Sequence, residues 1–127
     1  MQNPREFIAR NVATLLNDGD VVNLGVGIPT LTTQFLPEGV HVILQAENGM
    51  LGCGPETAPG EENPDVIDAG AKHITCLPGG SFFESALSFG IIRGGHLDAT
   101  VLGALQVDQH GNLATWYVPG KLLPGPG

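Results

Sequence analysis

Residues 21–49 read VVNLGVGIPTLTTQFLPEGVHVILQAENG, and this stretch predicts the fold. It begins with a short apolar run at 21–24 and passes through a glycine-rich turn into a helical segment at 29–35, which Pro29 can start. A second apolar run follows at 40–45. A strand, a helix and a strand in this order favour parallel strands joined by a right-handed crossover. The segment therefore predicts an α/β fold.

The sequence on either side of this unit supplies further elements. Residues 3–17 predict an amphipathic helix, with Asn3 as its N-cap and Pro4 at the first helical position. Residues 49–65 are rich in glycine, proline and carboxylates, and we interpret them as a long loop. The elements predicted beyond the loop are strand-like runs at 66–67 and 73–77, a helix from Phe82 to about Arg93 capped by Ser81, a strand at 97–102, and a hairpin-like pair at 105–107 and 113–118.

These elements predict a single domain, residues 1–127, built on an open, mostly parallel sheet flanked by helices and ending in a C-terminal hairpin. A chain of 127 residues is long enough to bury about two thirds of the surface that its unfolded form exposes. Residues 121–127 contain no helix cap and no closing element. We therefore expect that C-terminal elements of the fold are missing from this sequence.

Composition narrows the classes of function. Five lysines and arginines stand against 13 carboxylates, and the formal net charge of −8 does not suit a surface that binds a phosphate backbone. No apolar run approaches the ~20 residues that a membrane helix needs, and the N-terminus lacks the apolar core of a secretory signal. We expect a cytoplasmic protein that binds neither nucleic acid nor membrane.

The cysteines and histidines form no metal-site pattern. Cys53 and Cys76 make no C-x-x-C pair, and we interpret them as reduced, buried or partly buried thiols. The Gly-Cys-Gly sequence around Cys53 leaves a nucleophile loop open as an alternative. The four histidines have spacings that match no zinc motif, so we expect no metal. They are His41, His73, His96 and His110.

The turn at Gly25 and Gly27 is the first candidate binding site. A glycine-rich turn between a strand and a helix exposes backbone N–H groups, which suit an anion. A dinucleotide fingerprint requires a third glycine where Thr30 stands. Glu47 nevertheless lies about 20 residues farther on, where that fingerprint places its ribose-binding acid. The sequence pattern therefore leaves nucleotide binding open as an alternative.

Glu47 is the second candidate, because it follows the second predicted strand. A carboxylate at the end of a parallel strand faces the crevice in which open α/β sheets bind ligands. The Asn48-Gly49 turn behind it can present the side chain and direct backbone amides inward. A glutamate at a strand end is also often a solvated or capping group, and spacing alone does not decide between these interpretations.

Seven short segments, spread over nearly the whole chain, carry a family resemblance. They are VNLGVGIP (22–29), LPEG (36–39), ENG (47–49), LPG (77–79), IRGGH (92–96), LGALQV (102–107) and VPGK (118–121). In this order they resemble the beta (B-type) subunits of class I, or 3-oxoacid/acetate, CoA-transferases, in particular the acetoacetate and butyrate–acetoacetate types.

The resemblance implies an activity and a site. CoA would move between an acyl-CoA and a short-chain carboxylic or 3-oxo acid, through a glutamyl-CoA thioester on Glu47. The implied partner is the alpha (A-type) CoA-transferase subunit in a hetero-oligomer, and coenzyme A would be a substrate, with no permanently bound cofactor. The resemblance and the loop geometry together give these substrate- and CoA-binding candidates: Asn23, Gly25, Gly27, Asn48, Gly49, Gly125 and Gly127.

Departures from the family pattern at residue 46 and at the C-terminus limit this expectation. Ala46 stands where the family usually has serine, and Pro126 stands where a bulkier apolar residue is usual. Family members also continue past the Pro-Gly-Lys segment through a glycine-rich, CoA-contacting loop that is expected to supply an oxyanion donor. We therefore expect residues 1–127 to be inactive alone. The alternative is a truncated subunit that acts only in assembly.

Overall fold

The computed structural model describes residues 3–121. The predictions for Gly125, Pro126 and Gly127 lie outside the described residues. The elements are, in chain order, helix α1 (Pro4–Ala13), strand β1 (Val21–Leu24), a 3₁₀ helix (Pro29–Phe35), β2 (Ile43–Ala46), β3 (Met50–Glu56), β4 (Ile74–Phe82), helix α2 (Ser85–Arg93), β5 (Ala99–Val101), β6 (Gln106–Val107) and β7 (Leu113–Ala114).

The main sheet has five strands in the order β4-β3-β2-β1-β5. Strand β1 lies at the centre of its parallel part and pairs with both β2 and β5 in parallel. Strands β3 and β4 extend the sheet in antiparallel fashion. The α/β fold with a sheet flanked by helices is confirmed, and the sheet is mixed because two antiparallel strands join the three parallel ones.

The prediction of a loop over 49–65 is wrong for its first part, where β3 lies. The strand is interrupted by register shifts on either side of Cys53, which are typical of β-bulges. Gly52 has a φ of +81°, and a Cβ there would lie 2.9 Å from the Cα of Gly80. Glycine thus allows two strands to approach closely in this segment. The same glycine content is typical of loops, and for that reason the sequence predicted a loop here.

The predicted start of the second long helix is also wrong. Ser81 and Phe82 belong to β4, where they pair with Leu51 and Met50 of β3. Helix α2 begins at Ser85 instead, and no side-chain hydrogen bond caps it. Pairing with a strand about 30 residues earlier overrides the local capping signal, as tertiary contacts often do.

Helix α1 begins as predicted. The side chain of Asn3 accepts a hydrogen bond from the Arg5 backbone N–H, and proline occupies the first turn. The helix ends at Ala13, four residues before the predicted end at 17. Its buried face consists of the small residues Ala9 and Ala13, which allow it to lie close to the 3₁₀ helix.

The hydrophobic core is small. Ala46, Met50, Cys53 and Ile74 form a buried cluster against which partly buried apolar residues pack. The predicted hairpin is present as β6 and β7, with two residues in each strand instead of the predicted 105–107 and 113–118, and Gly111 in its connection has a φ of +82°. Within residues 3–121 no helix combines the length and the apolar character that crossing a membrane requires.

Candidate active site

Glu47 follows the last residue of β2 and is half-buried. The parallel pairing of β1 and β2 places Asn23 opposite Gln45, two residues before Glu47. The Asn23 Nδ2 donates a hydrogen bond to Glu47 Oε2 at 3.0 Å. Asn23 itself is buried, with 5% of its surface exposed. Two predicted site residues that are 24 positions apart are therefore brought together at the ends of adjacent strands.

A chain of buried polar groups continues behind Asn23. Its Nδ2 also lies 2.8 Å from Gln45 Oε1 and 3.1 Å from the Gln45 carbonyl oxygen. The Gln45 Nε2 donates to Ser88 Oγ at 2.6 Å, and the Ser88 hydroxyl donates to the Ala46 carbonyl at 3.4 Å. Helix α2 is thus connected to Glu47 through side-chain hydrogen bonds.

Sequence reasoning missed Gln45 and Ser88. The signal for Gln45 was its position two residues before Glu47, which places both on the same face of an extended chain. Ser88 is a polar residue among the apolar residues of α2, and the structure buries it completely. A buried hydroxyl requires a hydrogen-bond partner, but its identity cannot be predicted across a sequence separation of 43 residues.

The turn after β2 has strict steric requirements. Gly49 adopts a φ of +126°, and a Cβ at this position would overlap the carbonyl oxygen of Phe83. The Gly49 N–H donates to the Ala46 carbonyl at 3.0 Å, and the Phe83 N–H donates to the Gly49 carbonyl at 2.9 Å. Asn48 donates from Nδ2 to the Ile67 carbonyl at 2.8 Å. Gly49 and Asn48 therefore hold the loop that carries Glu47.

Contrary to the prediction from sequence, the turn after β1 does not leave the Gly25 backbone N–H free for an anion. The Gly25 N–H donates to the Val101 carbonyl of β5 at 2.9 Å, so it is already satisfied within the protein. Gly27 has a φ of +101°, and its carbonyl accepts from Thr30 Oγ1 at 2.8 Å. The turn leads into a short 3₁₀ helix rather than a long α-helix. This geometry does not favour the dinucleotide alternative, which depends on a helix N-terminus.

A cavity of about 320 Å³ lies beside Glu47, within the size range of small-molecule sites. Apolar residues at the end of β1 and in the turn after it, including Leu24 and Val26, contribute to its lining. Lys72 is the one lysine or arginine that lines it among the described residues, and its Nζ donates to Glu56 Oε2 at 3.0 Å. The cavity thus combines apolar and polar residues with one cation and three carboxylates, those of Glu47, Glu56 and Asp68.

Cys53 also lines this cavity. Burial raises the pKa of the Cys53 thiol to about 11, so it stays protonated and weakly nucleophilic at neutral pH. Cys53 lies opposite Cys76 in the pairing of β3 and β4, and both are free thiols. Among residues 3–121, no group of three or more histidine, cysteine, aspartate or glutamate side chains is arranged to hold a metal ion.

Known proteins are similar in sequence to this chain over most of its length. The family described as Coenzyme A transferase matches residues 5–126. The chain is 55% identical over 123 residues to the beta subunit of the acetate CoA-transferase of Escherichia coli (strain K12), covering 97% of this chain and 56% of that protein. It is 46% identical over 127 residues to the B-type subunit of the probable succinyl-CoA:3-ketoacid coenzyme A transferase of Bacillus subtilis (strain 168), covering 100% of this chain and 59% of that one.

Solved structures show the same fold. An acyl-CoA transferase from Escherichia coli O157:H7, solved as the apoenzyme, superposes with a TM-score of 0.63 at 27% identity, covering 96% of this chain and 21% of that chain. The glutaconate coenzyme A-transferase of Acidaminococcus fermentans gives a TM-score of 0.59 at 19% identity, covering 98% and 49%. The chain spans 56% of the E. coli acetate CoA-transferase beta chain, and it spans a smaller part of both solved chains.

Proposed function

Since the chain belongs to the coenzyme A transferase family and matches its class I beta subunits, we propose that it works with an alpha subunit to transfer CoA between an acyl-CoA and a short-chain carboxylic or 3-oxo acid. The observation that carries the proposal is the Glu47 carboxylate, held by Asn23 at a cavity beside the ends of two parallel strands. The family relationship was predicted from sequence and is confirmed.

The proposed reaction begins with attack of the Glu47 carboxylate on the carbonyl carbon of the acyl-CoA thioester. The carbon–sulfur bond breaks, and an acyl-glutamyl anhydride and CoA thiolate result. The thiolate then attacks the glutamyl carbonyl of the anhydride and releases the donor acid as its carboxylate. Glu47 is left as a glutamyl-CoA thioester, which is an instance of nucleophilic catalysis by a carboxylate.

The acceptor acid completes the proposed cycle by the same steps in reverse. Its carboxylate attacks the glutamyl-CoA thioester, forms a second anhydride and releases CoA thiolate. The thiolate attacks the acceptor's acyl carbonyl, which gives the new acyl-CoA and regenerates the Glu47 carboxylate. One thioester is exchanged for another, so the sequence of steps requires no ATP.

The contribution of the chain in this scheme is orientation and removal of water. A hydrated carboxylate is a weak nucleophile, and fixing its approach to the substrate is worth roughly 7–11 kcal/mol of barrier in well-oriented systems. Asn23 donates to one carboxylate oxygen, Oε2, and this hydrogen bond favours one orientation of the Glu47 side chain. Apolar residues line part of the cavity beside the same carboxylate, and a bound acyl-CoA would displace water there, which strengthens each remaining electrostatic interaction.

The test is chemical trapping of the thioester. The complete protein carrying this sequence, assembled with an alpha subunit, is incubated with an acyl-CoA, reduced with borohydride and mapped by mass spectrometry. We expect the reduced mark on Glu47, its loss in Glu47→Gln, and its retention in Glu61→Gln, which changes an exposed carboxylate in the loop before β4. Turnover with no mark on Glu47 contradicts the proposed mechanism. An assembled complex with neither turnover nor mark supports a subunit that acts only in assembly.

A further inference from the structure

Three buried polar side chains lie in a row behind Glu47. Asn23, Gln45 and Ser88 are 5%, 3% and 0% exposed. A buried amide or hydroxyl is unfavourable unless its hydrogen bonds are made, and these three satisfy one another. The orientation of each amide in this row matters, because an amide has a donor end and an acceptor end that are not interchangeable.

The two ends of the row are both acceptors. At one end the Ala46 backbone carbonyl receives the Ser88 hydroxyl hydrogen, which leaves the Ser88 oxygen free to accept from Gln45 Nε2. Gln45 therefore turns its Oε1 toward Asn23. Asn23 therefore donates one hydrogen of its NH₂ group to Gln45 Oε1. The second hydrogen of that group is directed at Glu47 Oε2.

A reversed Gln45 amide would undo this order. With Nε2 facing Asn23, the Asn23 amide would meet a donor in place of an acceptor. If Asn23 presented its carbonyl oxygen to that donor, the oxygen would lie against the Glu47 carboxylate and the Gln45 backbone carbonyl, where acceptors repel. The bond from Gln45 to Ser88 thus acts together with the Gln45 backbone carbonyl to direct the Asn23 NH₂ group toward Glu47.

We infer that Gln45 and Ser88 are positioning residues that fix the Asn23 donor on Glu47 and so orient the nucleophile. The inference rests on the proposed function, because it assigns these residues a part in the same reaction. Ser88 acts from helix α2 through Gln45 and Asn23, and its hydroxyl also donates to the carbonyl of Ala46, the residue before Glu47.

The first test compares two serine-to-alanine changes on the same helix, in the complete protein assembled with an alpha subunit. Ser88→Ala removes the buried hydroxyl, and Ser85→Ala makes the same chemical change at the exposed first residue of α2. We expect kcat to fall about 10- to 100-fold in Ser88→Ala, with KM for the acyl-CoA within about twofold, because small misplacement of a reacting group acts mainly on the chemical step. Ser85→Ala should match the wild type.

The second test asks whether Ser88 and Gln45 act through Asn23. Ser88→Ala and Gln45→Leu are each combined with Asn23→Ala, and kcat is measured for the single and double variants. If the row transmits orientation, the second change should lower kcat by less than about twofold once Asn23 is absent, because residues of one network are non-additive. Thermal unfolding is measured in parallel, since a purely structural role lowers Tm without this dependence on Asn23.

The outcomes separate the inference from the function on which it rests. If Glu47 forms the thioester and Ser88→Ala and Gln45→Leu retain wild-type kcat, the inference is overturned and the proposed function stands. Losses that multiply fully with Asn23→Ala also overturn it. If the wild-type complex forms no thioester on Glu47, the proposed function fails and the inference falls with it.

Discussion

Asn23 is the residue on which the geometry of Glu47 most directly depends, because its Nδ2 donates the hydrogen bond that holds the Glu47 carboxylate. We expect Asn23→Ala to lower kcat of the assembled enzyme by about 10²-fold, because misplacing a reacting group by about 1 Å costs a factor of that order. Asn11→Ala is the matched control, since the Asn11 side chain is exposed and bonds to the Phe7 carbonyl within helix α1. Steady-state kinetics measures both. A kcat for Asn23→Ala close to that of the wild type would contradict this role.

Cys53 predicts a pH dependence of stability. Its folded-state pKa is raised by burial from 9.0 to about 11, so the fold favours the neutral thiol. Below pH 9 the thiol is protonated in both the folded and the unfolded state, and its contribution to the free energy of unfolding is fully present. Between about pH 9 and 11 the thiol ionises in the unfolded state first, and this contribution is lost. We expect the free energy of unfolding to fall more steeply over this interval in the wild type than in Cys53→Ala.

Urea unfolding at about pH 8, 9, 10 and 11, an interval that brackets the two thiol pKa values, measures this difference. Other groups that titrate in the same interval are common to both proteins, so only the change in the difference between them reports Cys53. Parallel pH profiles would show that the folded environment does not hold the Cys53 thiol neutral.

At the scale of elements, the turn between β2 and β3 depends on a glycine. Gly49→Ala introduces both a positive φ and an overlap with the Phe83 carbonyl. Gly60→Ala is a matched control, because Gly60 also has a positive φ, +90°, but a Cβ there meets open space. We expect Gly60→Ala to destabilise by about 1 kcal/mol and Gly49→Ala by about 2 kcal/mol or more. Urea denaturation checks this, and equal losses would mean that the overlap is relieved at no cost.

The elements also show how far sequence reasoning reaches. Strand β1, the 3₁₀ helix and β2 were predicted because apolar runs and Pro29 are local signals. Strand β3 was missed since its glycines serve contacts with β4 that no local pattern records. Similarly, α2 begins at Ser85 because β4 takes up the residues that resembled its cap.

Some residues of the candidate site could be predicted from the sequence, and others could not. Glu47 and Asn23 could be selected through the family resemblance, and the strand-end position of Glu47 supported the choice. Gln45 and Ser88 could not, because their importance lies in a contact between strand β2 and helix α2. Gly25 was predicted to bind substrate, but its N–H is occupied by β5. Contact of CoA with Gly25, Gly27, Asn48 and Gly49 stays a prediction.

At the scale of the whole molecule, residues 1–127 span 56% of the length of the E. coli relative. Large apolar residues are exposed along the described part of the chain, among them Leu15, Leu102 and Trp116. We expect residues 1–127 alone to show no turnover with acetoacetate and an acyl-CoA, because the proposed function assigns part of the site to an alpha subunit. The assay is repeated with an alpha subunit present, then with the complete protein. Turnover by residues 1–127 without either would refute the expectation.

The number of hydrogens on the Asn23 amide limits what this residue can stabilise during the proposed reaction. Its amide has two hydrogens, and in this structure one is directed at Gln45 and the other at Glu47. No third hydrogen is left for the negative oxygen of a tetrahedral adduct. Either Asn23 releases one of its present acceptors as charge develops, or that oxygen is stabilised by a donor that Asn23 does not supply. The observed hydrogen bonds of Asn23 therefore serve the attacking carboxylate of the proposed reaction, and none of them is directed at the oxygen that the attack creates.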